Sequence, residues 1–194
     1  SLITEIMHTY SLKNLSWDSG LRYKYSDTHN LYSYDIINDF DSKDQNLYAY
    51  TQFSGNVKNI YYMGGIGINW VSFKEGGNSF YKVLYRPLGR IKYMPLDNFS
   101  MSYQFSMQPT IPSLSTLSGI TKNLNRYEFE TGNSALRPYD NIKHKLSLSW
   151  NPNRWYISLN YNIESVKNLF ASGIYCQNGK SGYQHINFDS KTVR

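Results

Sequence analysis

Apolar and polar residues alternate along most of this chain, and in two neighbouring stretches they do so almost without a break. From Trp155 to Ile163 the odd positions are Trp155, Ile157, Leu159, Tyr161 and Ile163, and the even ones are Tyr156, Ser158, Asn160 and Asn162. The stretch before it sets Ile142, Leu146, Leu148 and Trp150 against Lys143, Lys145, Ser147 and Ser149. A period of two places the two sets on opposite faces of a β-sheet. A soluble sheet and a membrane barrel would both show that pattern. Its repetition, the strand lengths and the aromatic content of the apolar face favour a barrel wall with lipid outside and a wet lumen inside.

The same reading divides the rest of the chain into hairpins. A first strand from Leu2 to Tyr10 turns at Leu12-Lys13-Asn14 and returns from Leu15 to Ser26. The polar segment from Asp27 to Gln45 is expected to be a long loop. Asn46 to Gly55 and Ile60 to Phe73 then flank a turn at Asn56 to Asn59, and Lys74 to Ser79 reads as a Gly-rich loop. Phe80 to Met94 turns at Pro95-Leu96-Asp97-Asn98 into Phe99 to Met107, where Phe99, Met101, Tyr103, Phe105 and Met107 oppose Ser100, Ser102, Gln104 and Ser106. Gln108 to Tyr139 breaks the pattern with Pro109, Pro112 and Pro138. Asn168 to Phe188 is expected to be a hairpin or a long loop around Gln177 to Gly182. This gives roughly nine or ten strands in an all-β, antiparallel up-and-down arrangement. Short turns at one end and long polar loops at the other match outer-membrane barrels.

Composition agrees with this reading and removes the helical alternative. Mean hydropathy is −0.56, too polar for a helical membrane protein. Barrels keep their mean hydropathy low because half of each strand faces water. The chain of 194 residues holds 19 Tyr, 9 Phe and 4 Trp, which favour strands over helices. Its single cysteine, Cys176, cannot form an internal disulfide.

A net charge of +6 raises the question of nucleic acid, but the basic residues are not gathered into one patch. Lys82, Arg86, Arg90 and Lys92 occupy even positions of one strand, opposite Tyr81, Val83, Tyr85, Ile91 and Tyr93. On a barrel they would line the lumen and bias it towards anions. Gln104, Lys143, Lys145 and Asn160 take the same polar side of their strands, and together these residues are the candidate lumen lining and substrate contacts. The alternative for all of them is a solvated outer face of a soluble sheet.

Tyr103 to Trp155 carries a resemblance. Pro109-Thr110-Ile111-Pro112-Ser113-Leu114, then Thr131-Gly132-Asn133-Ser134-Ala135-Leu136-Arg137-Pro138, then a strand, Asn151-Pro152-Asn153 and a second strand, are similar to the C-terminal barrel of TonB-dependent outer-membrane receptors of the Bacteroidetes type. The family's second motif commonly reads Gly-Asn-Pro-x-Leu-x-Pro-Glu. Gly132, Asn133, Leu136 and Pro138 match it, whereas Ser134 and Tyr139 stand where Pro and Glu are usual. The resemblance implies a barrel of about twenty-two strands plugged by a further domain and energised through the TonB complex, sometimes with a surface lipoprotein partner. Residues 1–194 would supply a segment of that barrel without the plug. Ser1 to Tyr10 reads as strand rather than leader, and Lys191-Thr192-Val193-Arg194 lacks a closing aromatic residue, so the chain is expected to be a piece of a longer polypeptide.

No feature points to catalysis or to a cofactor. His8, His29, His144 and His185 lack partners at ligand spacing. Asp35, Asn38, Asp39, Asp41 and Asp44 could offer oxygen ligands to Ca²⁺, but their spacing fits no EF-hand and a solvated loop is the preferred reading. Gly64-Gly65-Ile66-Gly67 lies inside a strand, where glycines ease packing or curvature. Glu128 and Glu130 lie two apart on one strand face, and sequence shows no opposed carboxylate across a cleft. The function expected is import of a small nutrient (an oligosaccharide, siderophore or peptide) across the outer membrane. A small complete outer-membrane barrel and a soluble carbohydrate-binding module are the alternatives.

Overall fold

Period-two alternation becomes strand nearly everywhere in the computed structural model, which describes residues 1–33, 37–75, 78–117, 121–152, 154–188 and 192–193. In chain order the elements are β1 (Leu2–Ser11), β2 (Leu15–Ser33), β3 (Ile37–Val57), β4 (Ile60–Glu75), β5 (Asn78–Leu96), β6 (Phe99–Thr110), a one-turn helix α1 (Leu114–Leu117), β7 (Thr121–Asn123), β8 (Glu128–Thr131), β9 (Tyr139–Trp150), β10 (Ile157–Lys167), β11 (Phe170–Gln177), β12 (Lys180–Asn187) and β13 (Thr192–Val193). A nine-stranded sheet runs β1-β2-β3-β4-β5-β6-β9-β10-β13, and each pair in it is antiparallel. A four-stranded sheet runs β11-β12-β8-β7, with β12 and β8 parallel. It is built from the two long connections of the large sheet.

Register keeps the alternation of each strand in phase with its neighbour. Tyr10, Trp17 and Phe53 fall in one row. Ile68 lies between Ala49 and Tyr85, and Leu148 between Met101 and Leu159. One face is therefore continuously apolar, and its side chains are open to the surroundings: Ile6 is 66% exposed and Leu159 62%. On β4 this band runs from Ile60 to Trp70, about ten residues, the length of a tilted membrane-spanning strand. Tyr23, Tyr25, Trp70 and Tyr81 gather at its loop end, and Tyr62, Tyr93, Phe99 and Trp150 towards the short turns. Aromatic rings at both borders are the belts that an apolar slab between two wet interfaces requires. β1 departs from the pattern, since Ile3 and Met7 sit on the polar face opposite Lys24 and Gly20.

Two expected loops are strand instead. β2 and β3 continue through most of Asp27 to Gln45 and pair as far as Ser33 with Ile37, and Lys74 faces Ser79 in the β4–β5 ladder. The sequence signal fades there because the period of two is lost, with polar residues dominant and Leu31, Tyr32, Ile37 and Phe40 falling at both parities, while the backbone ladder continues. Asp27 opposes Lys43, His29 Nδ1 lies 3.0 Å from Asp41, and Lys24 lies 3.9 Å from Asp44. Such exposed cross-strand pairs contribute roughly 0.2–1 kcal/mol each. Asp35 lies outside the described residues. The expected hairpin in the tail is β11–β12, whose turn places Asn178 at φ 52° and Gly179 at φ 73°, the paired positive values of a tight hairpin turn.

The packed core sits at the loop end, on the polar side of the large sheet. Phe73 and Phe80 face each other across β4 and β5 and are 2% and 6% exposed. Leu117 of α1 and Leu136 pack onto them, flanked by Ile111 and Phe170. Burying each such side chain contributes about 1.5–3 kcal/mol. Hydrogen bonds lock the segment above it. Asn133 N donates to Thr116 O at 2.7 Å, and Asn133 Nδ2 to His185 O at 2.8 Å. Asn187 Oδ1 accepts from Arg137 N at 2.8 Å while its Nδ2 donates to Asn168 O at 2.8 Å.

Candidate functional site

The polar face of β5, β6, β9 and β10 carries all the side chains expected to line a lumen. Lys82, Arg86, Arg90 and Lys92 alternate along β5. Arg90 pairs with Gln104, which pairs with Lys145, so these three form one row across the sheet. The next row is Lys92, Ser102, Ser147 and Asn160, in which Ser147 Oγ donates to Asn160 Oδ1 at 2.8 Å. Lys143 is set apart by a carboxylate, since Glu164 Oε1 lies 3.8 Å from its Nζ and accepts from Asn141 Nδ2 at 2.6 Å. Lys82 stands nearer the loops, opposite Val71. On β5, β6 and β9 no Asp or Glu shares this face, so a positive field extends over a floor of serine hydroxyls and glutamine amides.

A cavity of about 220 Å³ opens where β5 and β6 part. The β5–β6 ladder begins at Leu88 with Ser106; beyond it β5 pairs only with β4, and β6 only with β9. Pro87 and Pro109 stand at this divergence and carry no N–H to extend the ladder. Tyr48, Met63, Arg86, Gln104, Ser106 and Gln108 line the opening. The Arg86 guanidinium carbon lies 5.4 Å from the centre of the Tyr48 ring, within cation–π range. Arg86 Nε is shielded from solvent and has no hydrogen-bond partner among the described residues.

Glycine makes that stack possible. Gly67 lies across the ladder from Tyr50 on one side and Arg86 on the other, with Tyr48 two residues along β3 from Tyr50, and a Cβ there would come within 2.6 Å of the Tyr48 ring. Gly20 gives Tyr50 the same kind of seat, and the two tyrosine rings stack with centres 5.7 Å apart. Sequence reading missed Tyr48, Tyr50, Met63, Ser106 and Gln108 as site residues. Parity puts Tyr48 and Ser106 on the polar side of their expected strands, whereas Gln108 falls beyond the expected end at Met107, and the fork that joins them to Arg86 depends on register. The histidines fall elsewhere: His144 accepts or donates a 2.8 Å bond with Tyr103 on the apolar face, and His185 lies in β12. Among the described residues no group of three or more His, Cys, Asp or Glu could hold a metal ion.

No family profile and no characterised protein sequence matches the chain. Solved structures do. The copper transporter OprC aligns with 97% of this chain and 33% of its own length, at a TM-score of 0.76 and 12% identity. The ferric enterobactin receptor PfeA of Pseudomonas aeruginosa aligns with 98% of this chain and 31% of its own, at 0.71 and 12%. The iron transporter FrpB of Neisseria meningitidis aligns with 95% and 31%, at 0.66 and 10%. The chain thus spans about a third of the length of these structures. At such identities the likeness is one of fold: this chain is folded as a section of an antiparallel up-and-down transmembrane β-barrel wall, similar to the barrels of TonB-dependent receptors.

Proposed function

We propose that the chain forms part of an outer-membrane receptor that imports a small nutrient through a plugged β-barrel and is energised by the TonB complex. The observation that carries this reading is the two-faced sheet itself. Its apolar band is of membrane-spanning length and bordered by aromatic rings, and its opposite face is basic, hydroxyl-rich and topped by a folded loop cluster. Transporters and receptors share this fold, and a wall segment needs no catalytic group. Lys82, Arg86, Arg90, Lys92, Gln104, Lys143, Lys145 and Asn160 then face the lumen, where they favour anionic or hydroxyl-bearing ligands. The Gly132-Asn133 and Leu136-Arg137-Pro138 motif supports the Bacteroidetes-type form, in which a surface lipoprotein is a possible partner.

Membrane fractionation of the source cells, read with an antibody against this segment, tests the proposal. A heat-modifiable outer-membrane band several times larger than 22.6 kDa is expected. A band near 22.6 kDa in that fraction would mean a small complete barrel, and one in the soluble fraction would overturn the membrane reading.

A further inference from the structure

We propose that the cavity at the β5–β6 fork is a subsite for the carboxylate of a small organic acid. The inference deepens the transport reading, which places the polar face in the lumen. Arg86 supplies the charge. Its Nε–H is hidden from solvent and unpartnered among the described residues, and the side chain takes part in none of their ion pairs. A guanidinium edge of this kind is a planar fork that matches the two oxygens of a carboxylate. A shielded donor without an acceptor is also unfavourable, and a carboxylate oxygen would satisfy it.

The surroundings sharpen the choice of ligand. Tyr48 lies against the guanidinium, and Gly67 gives the tyrosine ring its seat, so the fork is held in one orientation. Gln104, Ser106 and Gln108 add neutral hydrogen-bonding groups, and among the described residues no carboxylate lines the cavity to compete for the cation. Met63 and Leu88 provide apolar wall for the body of the acid. At about 220 Å³ the space exceeds one water several-fold, each water taking about 30 Å³, and suits a single small group rather than a whole large ligand.

The test is NMR of the protein in detergent micelles, uniformly labelled with ¹⁵N. The Arg86 Nε signal is identified by its absence in Arg86→Lys. Benzoate is titrated at constant ionic strength, with benzamide, chloride and inorganic phosphate as comparisons. Benzoate is expected to shift the Arg86 Nε–H saturably and to slow its exchange with water, while benzamide and chloride leave it in place. Gln108→Leu should weaken binding several-fold. Arg86→Lys, which keeps the charge and loses the fork, should weaken it about tenfold as read from the backbone amides of Ser106 and Gln108. An unsaturable shift, an equal response to chloride or benzamide, tighter binding of phosphate, or unchanged affinity in Arg86→Lys would each overturn the proposal. Should Arg86→Lys fail to fold, Gln108→Leu and the benzoate–benzamide comparison still decide it. Transport is not measured, so failure here is distinct from failure of the transport reading.

Discussion

Gly67 and Gly64 sit three residues apart on β4, yet their surroundings assign them different tasks. A side chain at Gly67 would collide with the Tyr48 ring, whereas a Cβ at Gly64 would meet nothing within 4 Å. Gly67→Val is therefore expected to displace Tyr48 and destabilise the protein by about 1–3 kcal/mol, as overpacking does. Gly64→Ala should stay within about 0.5 kcal/mol, because it adds a methyl to open space and restrains a flexible strand position. Urea unfolding of both variants in detergent checks this, and equal costs would show that the tyrosine seat contributes nothing. The Gly-rich run was legible as a strand feature from its lack of a following helix. Which glycine accepts a ring was not legible, because Tyr48 comes from another strand and reaches Gly67 only through register.

At the scale of the element, adjacent positions on β9 test which face meets lipid. Leu146 lies on the apolar face between Tyr103 and Tyr161, and Ser147 lies on the other face between Ser102 and Asn160. Arginine near the bilayer midplane costs roughly 2–4 kcal/mol on a lipid-facing position and little in a wet lumen. Leu146→Arg is thus expected to destabilise folding into lipid vesicles by about that amount, with Ser147→Arg costing under about 1 kcal/mol. Similar costs for the two would contradict the assignment of faces. Strands of this kind declared themselves in the sequence wherever one face was apolar, as in Phe99 to Met107. They disappeared where the period of two lapsed, as in β2 and β3 beyond Tyr25 and Gln45, although the backbone ladder runs on unbroken. Leu136 and Asn133 show the opposite case. Their motif was noticed for its family likeness, and their physical task is to fill the loop-end core and to bond α1 and β12 to it.

Across the whole molecule, the large sheet ends in two unsealed edges. Among the described residues β1 pairs only with β2, and its burial pattern is exposed throughout. β10 meets β13 only at Ser165 and Val166, which leaves the edge from Ile157 to Glu164 without a ladder partner among the described residues. Both edges carry apolar side chains on the face assigned to lipid, including Ile6 and Leu159. An uncovered strand edge offers a row of N–H and C=O groups to another chain, and in hydrocarbon those groups have no water to satisfy them. Residues 1–194 expressed alone are therefore expected to need detergent and, within it, to associate edge to edge. Sedimentation velocity should give a protein mass above 22.6 kDa, corrected for bound detergent. Met7→Pro and Ser158→Pro together should shift the population towards the monomer, because their N–H groups point away from β2 and β9 and proline removes that donor from each open edge. A monodisperse monomer in plain buffer would contradict both the lipid-facing band and the open edges, and would return the chain to the class of soluble β-sheet modules.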